Sequence, residues 1–238
     1  MKNTQQQGNV LFYILIAVGL MAALAYVVAH SGRGNVSTLT RERSALYASE
    51  VIEYGYVISQ AVAQTRLRGY MDTEISFEND VQSGYTNPNC IENECKIFHT
   101  NGGNIHYLEP KESWLDTSRS SDSFYGRITF SGRSCTESTT CYADGLDNED
   151  LIMFISYLDR DICLEINDKV GITNPSDDAP LDAGCSGTGS TFTGTFSEGV
   201  SLKDVAGDLD KPAGCFRHDG GCTTTPNSYH YYQVLIER

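Results

Sequence analysis

The first 89 residues hold no cysteine, and proline and basic side chains are scarce throughout. Six prolines and 17 lysines and arginines stand beside 31 aspartates and glutamates in 238 residues. The formal net charge of −14 argues against a nucleic-acid-binding fibre, because phosphate backbones are held by lysine and arginine. It argues equally against adhesion to anionic membrane surfaces, and describes instead a soluble, mutually repelling surface. No two cysteines are spaced C-x2-C, so a zinc site has no framework. Gly184-Cys185-Ser186-Gly187 is not a G-x-S-x-G elbow, and no Ser/His/Asp set stands out. The glycine-rich stretch 184–199 lacks the lysine and the strand–loop–helix setting of a phosphate cradle. Catalysis is not expected.

Charge is also missing from Val10 to Ala29, and there the absence is informative. About 20 consecutive apolar residues are what a helix needs to cross the hydrocarbon layer. A segment inside lipid must pair all its own backbone groups, so a spanning segment is a helix. Ahead of it lies a short polar leader, Met1 to Gly8, with Lys2 as its one basic side chain. A secretory signal with cleavage near Ala29-His30-Ser31 would have a shorter apolar core and a more basic start. An uncleaved signal anchor suits the length but leaves Gly8 without a role. Cleavage between Gly8 and Asn9 would make the apolar helix the new N-terminus.

On these residues the chain resembles the type IV pilins and the type II secretion pseudopilins. Gly8 matches the glycine before the cut, and Val10–Val28 matches the apolar segment. The resemblance covers residues 1–70 by pattern and the remainder by layout alone. It implies processing at Gly8 and Asn9 by a prepilin peptidase, N-methylation of Asn9, and packing against other subunits through the N-terminal helix. The family's usual glutamate five residues after the cut falls here on Tyr13. A carboxylate at such depth is costly and normally functional. Its absence is similar to minor subunits thought to sit at fibre tips.

All eight cysteines, Cys90, Cys95, Cys135, Cys141, Cys163, Cys185, Cys215 and Cys222, lie beyond residue 89. An even set confined to one part of the chain reads as disulfides in an oxidising compartment. Of the 105 pairings that eight cysteines permit, the expectation is Cys90–Cys95, Cys135–Cys141, Cys163–Cys185 and Cys215–Cys222. The flanking charges, Lys2 on one side and Arg33, Arg41 and Arg43 on the other, do not set topology. The cysteines do: leader in the cytoplasm, inner-membrane anchor, domain in the periplasm or in an extracellular fibre.

Two glycines and an asparagine in Ser31–Asn35 predict a break, with Ser37 or Thr38 capping a restart. Leu39, Leu46, Val51, Tyr54, Val57, Ile58, Ala61 and Val62 recur at helical spacing and predict an amphipathic helix to about Leu67. Cys95–Leu108 reads as a β-hairpin around Asn101-Gly102-Gly103, and Phe124–Phe130 as a strand. Leu151, Ile155, Leu158, Ile162, Ile166 and Val170 predict one helix stopped by Gly171. Thr191–Phe196 reads as a short edge strand, Asp204–Gly221 as loop, and Tyr229–Ile236 as a terminal strand. The expected fold is α+β and pilin-like, a long N-terminal helix packed on a mainly antiparallel, disulfide-containing domain. Its expected divisions are leader 1–8, assembly helix 9–30, amphipathic helix 31–70 and periplasmic domain 71–238.

Two small sites stand out. His99 and His106 flank the expected hairpin turn and would face each other. Asp144, Asp147, Asn148 and Asp150 bring carboxylate and amide oxygens together around Gly145, as Ca²⁺ requires. Against the ion, Asp147 and Asn148 have a sufficient role as a helix cap, and Glu149 and Asp150 suit a helix dipole. Asp204, Asp208 and Asp210 form a weaker set of the same kind. The function expected is a minor pilin-like or pseudopilin-like structural subunit of a secretion or pilus system, with no obligatory cofactor. The alternative is a non-polymerising, single-pass anchored periplasmic binding domain, with calcium dependence as an option.

Overall fold

The computed structural model describes residues 9–31, 35–136, 149–182, 189–197, 199–202, 208–219 and 227–238. Helix α1 runs Asn9–Ser31 and α2 runs Asn35–Leu67. The break expected in Ser31–Asn35 falls on residues 32–34, which lie outside the described residues, and Ser37 and Thr38, expected as caps, lie within α2. Contacts divide the chain into two units, Met1–Arg43 and Ser44–Arg238.

In the first unit the described large apolar side chains of α1, from Phe12 to Val27, are 43–77 % exposed. Among the described residues no helix is long and apolar enough to cross a membrane.

The second unit is α+β. Its part of α2 buries Ala48, Val51, Tyr54, Ile58, Ala61, Val62 and Thr65, a stripe stepping by three and four residues. Leu46 and Val57, expected on that stripe, lie on the exposed flank, because the stripe is centred one position away from each. The sheet has the order β3-β1-β2-β5-β4, with β1 Ile128–Cys135, β2 Asp150–Leu158, β3 Val200–Ser201, β4 Ala213–His218 and β5 Ser228–Ile236. All neighbours are antiparallel except the two-residue β3, which runs parallel to β1. Cross-strand register puts Ile128, Phe130, Met153, Ile155, Tyr231 and Cys215 on one face. These join the buried residues of α2 in the main core. Gly55 of α2 lets the helix approach: a Cβ there would collide with the Tyr231 hydroxyl. The opposite face carries Ile152, Phe154, Tyr232 and Phe216, packed with Leu202 and Leu209.

Several expected elements differ. The stretch 151–170 is a strand followed by a helix, α3 (Arg160–Val170). Strand β2 is central and buried along its whole length, so its sequence shows an apolar run without alternation. Such a run imitates a helix stripe when a real helix comes after it. Asp159 caps α3 by accepting from the Asp161 N–H at 2.9 Å, and Gly171, at φ 78°, ends it as expected. The stretch 95–108 is no hairpin. Gly102 N–H donates to His99 O at 2.9 Å and Gly103 N–H to Lys96 O at 3.0 Å. Part of its backbone is satisfied in these local turns, and other groups reach outward: Cys95 O accepts from Ser76 N–H, Ile97 N–H donates to Ser76 O, and Leu108 N–H donates to the Tyr54 hydroxyl. The strand expected at Phe124–Phe130 begins at Ile128, 191–196 is not a strand, and β4 lies within the expected loop 204–221. Strand β5 is where its sequence puts it.

Cys90 pairs with Cys95 as expected. Cys163 does not pair with Cys185, nor Cys215 with Cys222: Cys163 pairs with Cys215. The reason is packing, since α3 lies against β4 and brings the two Cα atoms to 5.4 Å. Beside this bond the Asn167 side chain donates to Cys215 O at 2.9 Å and accepts from Cys215 N at 2.8 Å. The helix thereby pairs the free side of edge strand β4. Cys135 is disulfide-bonded too, while Cys141, Cys185 and Cys222 lie outside the described residues.

Candidate functional site

Among the expected processing residues, Gly8 lies outside the described residues and Asn9 is the first residue of α1. Tyr13, in the place of the family's glutamate, is 63 % exposed and meets Phe12 edge-on with ring centres 6.4 Å apart. No buried side chain falls in the described part of α1.

A second apolar surface lies on the flank of α2. Leu46, Tyr56 and Val57 are exposed there. A groove of about 560 Å³ opens beside them, walled by Tyr54, Val57, Ile105, Leu108 and Trp114. The strap carrying Trp114 is tied to the end of β2, where Asp159 N–H donates to Trp114 O at 2.8 Å and Asp116 N–H to Tyr157 O at 2.9 Å. At the rim, Lys111 Nζ and the Trp114 indole N–H both donate to Glu50 Oε2, at 2.8 and 3.0 Å. These two bonds hold the Glu50 carboxyl below the usual carboxylate range. Tyr54 accepts from Leu108 N–H at 3.0 Å, and burial pushes its phenol up to about 12. Bonds at the rim thus tie the strap to α2 through Glu50 and Tyr54.

Of the acidic set, Asp144, Asp147 and Asn148 lie outside the described residues. Asp150 is buried at the start of β2, where its carboxylate accepts from Thr136 N–H at 3.0 Å, Thr136 Oγ1 at 3.1 Å and Arg238 N–H at 3.1 Å. Those bonds pin the end of β1 and the last residue of the chain. Burial nonetheless raises its carboxyl above the ordinary value. Asp204 is outside the described residues, Asp208 and Asp210 share one helical turn, and Asp210 pairs with Lys211 at 3.8 Å. Among the described residues no three histidine, cysteine or acidic side chains are grouped to hold a metal.

His99 and His106 are brought together without the expected hairpin. Both line one cavity of about 270 Å³ with Glu78, Asp80, Lys96, Phe98 and Tyr107.

One polar cluster is not legible in the sequence. His218 Nε2 lies 3.0 Å from Asp182 Oδ2, and His230 Nε2 lies 2.8 Å from Ser228 Oγ. The two imidazoles stand 4.7 Å apart between ring centres. All four residues are buried, and Ser156 lies opposite His230 on β2. Burial, and then the charge of His218, hold the His230 imidazole well below its ordinary value. The pairing of β4 with β5 sets His218 opposite Ser228 and Phe216 opposite His230, which places both rings on one face. The available signal is the i, i+2 spacing of Ser228 and His230 in a strand, but their partner strand reads as loop. General acid–base work needs a substrate within hydrogen-bond reach, and these groups reach one another beneath the surface. Their chemistry is that of a buried polar layer.

No protein-family model matches the chain, and no curated protein or solved structure matches it either.

Proposed function

We propose that this chain is a minor pilin-like or pseudopilin-like structural subunit. In this reading a prepilin peptidase cuts between Gly8 and Asn9, and α1 anchors the subunit in the inner membrane. The same helix later packs it among sibling subunits in a periplasmic or surface fibre, with the second unit outside the cytoplasm. The observation that carries the reading is α1, Asn9–Ser31, whose described large apolar side chains from Phe12 to Val27 stand 43–77 % exposed. Exposed apolar surface on this scale marks contact with lipid or protein. The uncharged run Val10–Ala29 supports lipid as the first of these, and the exposed flank of α2 supports protein as the second. Tyr13 supports a minor role, because it offers no carboxylate to a neighbour's terminal amine. The disulfides support an oxidising compartment for the second unit. Mass-spectrometric reading of protein taken from its native membrane tests this. The expected N-terminus is Asn9 carrying one methyl group, and a mature chain beginning at Met1 or Gly32 would leave only a tethered domain.

A further inference from the structure

The cavity that holds His99 and His106 shares His106 with the α2 groove but has a different chemistry. Phe98 and Tyr107 form an aromatic wall, edge-on to each other with ring centres 5.3 Å apart. Phe98 also packs against the core rings Phe77 and Phe130, at 6.4 and 5.9 Å, which fixes that wall in place. Tyr107 donates its hydroxyl to Gln82 Oε1 at 2.6 Å. The Asn79 side chain closes its own loop by accepting from Val81 and Gln82 N–H at 3.0 and 2.7 Å. Those groups build the site and are spent in doing so.

The remaining polar groups are available to a ligand. Lys96 Nζ stands 3.4 Å from Glu78 Oε2, which leaves each of them further bonding capacity. His99 Nδ1 accepts from Asn101 N–H at 3.1 Å, so its Nε2 carries the proton and is a donor. Asp80 and His106 are exposed and hold no hydrogen bond or ion pair among the described residues. The cavity thus offers acceptors from Glu78 and Asp80, donors from Lys96 and His99, and a ring with both capacities at His106.

That inventory selects among ligand classes. Two carboxylates against one ammonium disfavour an anion, while Lys96 disfavours a cation held on the aromatic wall. No three ligating side chains among the described residues are grouped for a metal. An apolar ligand would strip the charged groups of water without replacing their bonds. A neutral molecule with several hydroxyls and one apolar face satisfies all of them, since each hydroxyl both donates and accepts. About 270 Å³ is at the small end for a ligand cavity, suited to a single ring rather than a chain. We propose that this cavity is a binding site for one neutral sugar ring, its apolar face on Phe98 and its hydroxyls shared among Glu78, Asp80, His99 and His106.

The test uses purified full-length protein and ligand-observed saturation-transfer NMR. The probes are methyl glucoside, methyl galactoside, methyl mannoside and N-acetylglucosamine at millimolar concentration, with choline and inorganic phosphate as the charged comparisons. At least one sugar is expected to give a saturable signal and to shift the imidazole resonances of His99 and His106. Asp80→Asn and His106→Ala, both at exposed positions, are each expected to weaken that binding about tenfold or more, while the unfolding transition stays in place. Silence from all four sugars would overturn the proposal. So would a sugar signal unchanged in both variants, or binding of choline or phosphate at the two histidines in place of sugar.

Discussion

At the scale of single residues, the most consequential placement is His230, an imidazole sealed on the sheet between β2 and β4. The groups facing it are His218 and Phe216 from β4, Ser156 and Tyr157 from β2 and Ser228 on its own strand, with Asp182 behind His218. Its folded-state affinity for a proton is depressed, burial being the larger cause and His218 the smaller. The unfolded chain takes up that proton near pH 6.5. The folded chain therefore binds fewer protons below that pH, and stability falls as the solution is acidified. The ring's contribution is full above about pH 6.5 and declines below it, by up to about 1.4 kcal/mol per pH unit for the one proton. Urea unfolding of the wild type and of His230→Phe across this range checks the claim. The variant is expected to lose most of the acid slope, and an identical slope in both proteins would assign it to other groups. The pair His218–His230 is hidden in the sequence because register, not spacing, unites it. His99 and His106, seven residues apart, are legible as neighbours even though the turn expected between them is built differently.

At the scale of elements, the sequence speaks clearly where one face of a segment is buried and the other is wet. The α2 stripe belongs to that kind. It is ambiguous where a segment is enclosed on all sides: β2 has no polar face to mark its period, so Leu151, Ile155 and Leu158 read together with the α3 residues Ile162 and Ile166. Misplacing that one boundary also misplaces a disulfide. With 151–170 as a single helix, Cys163 has no reason to reach β4; with α3 starting at Arg160, it lies against Cys215. The two bonds that can be compared should differ in effect. Cys163–Cys215 closes a separation of 52 residues and Cys90–Cys95 one of 5. Loop-closure entropy predicts losses of about 4 and roughly 2 kcal/mol on removing them. The double variants Cys163→Ala/Cys215→Ala and Cys90→Ala/Cys95→Ala, compared by denaturant unfolding, are expected in that order. The reverse order would show that the Asn167 clamp already holds α3 to β4 without the covalent bond.

At the scale of the whole molecule, if α1 is the assembly helix proposed above, stability and association belong to different parts of the chain. Among the described residues every buried side chain lies from Ser44 onward, within the second unit. Among the same residues, the longest run of exposed large apolar side chains lies in α1. Charge sharpens the division. Residues 1–35 hold no carboxylate and contribute only Lys2 and Arg33, so the rest of the chain is strongly acidic and self-repelling. A truncated chain beginning at Val36 is therefore expected to fold with an unfolding transition close to that of the full chain. It is also expected to remain a monomer at low ionic strength, where repulsion between copies is least screened. The full chain, released from membranes in mild detergent, is expected to associate as the detergent is removed. Light scattering coupled to size exclusion distinguishes the two. Stable filaments from the truncated chain would place the driving force on the α2 flank and its groove, with α1 reduced to a tether. A truncated chain that fails to fold would show that residues before Val36 support the core, against the proposed separation of roles.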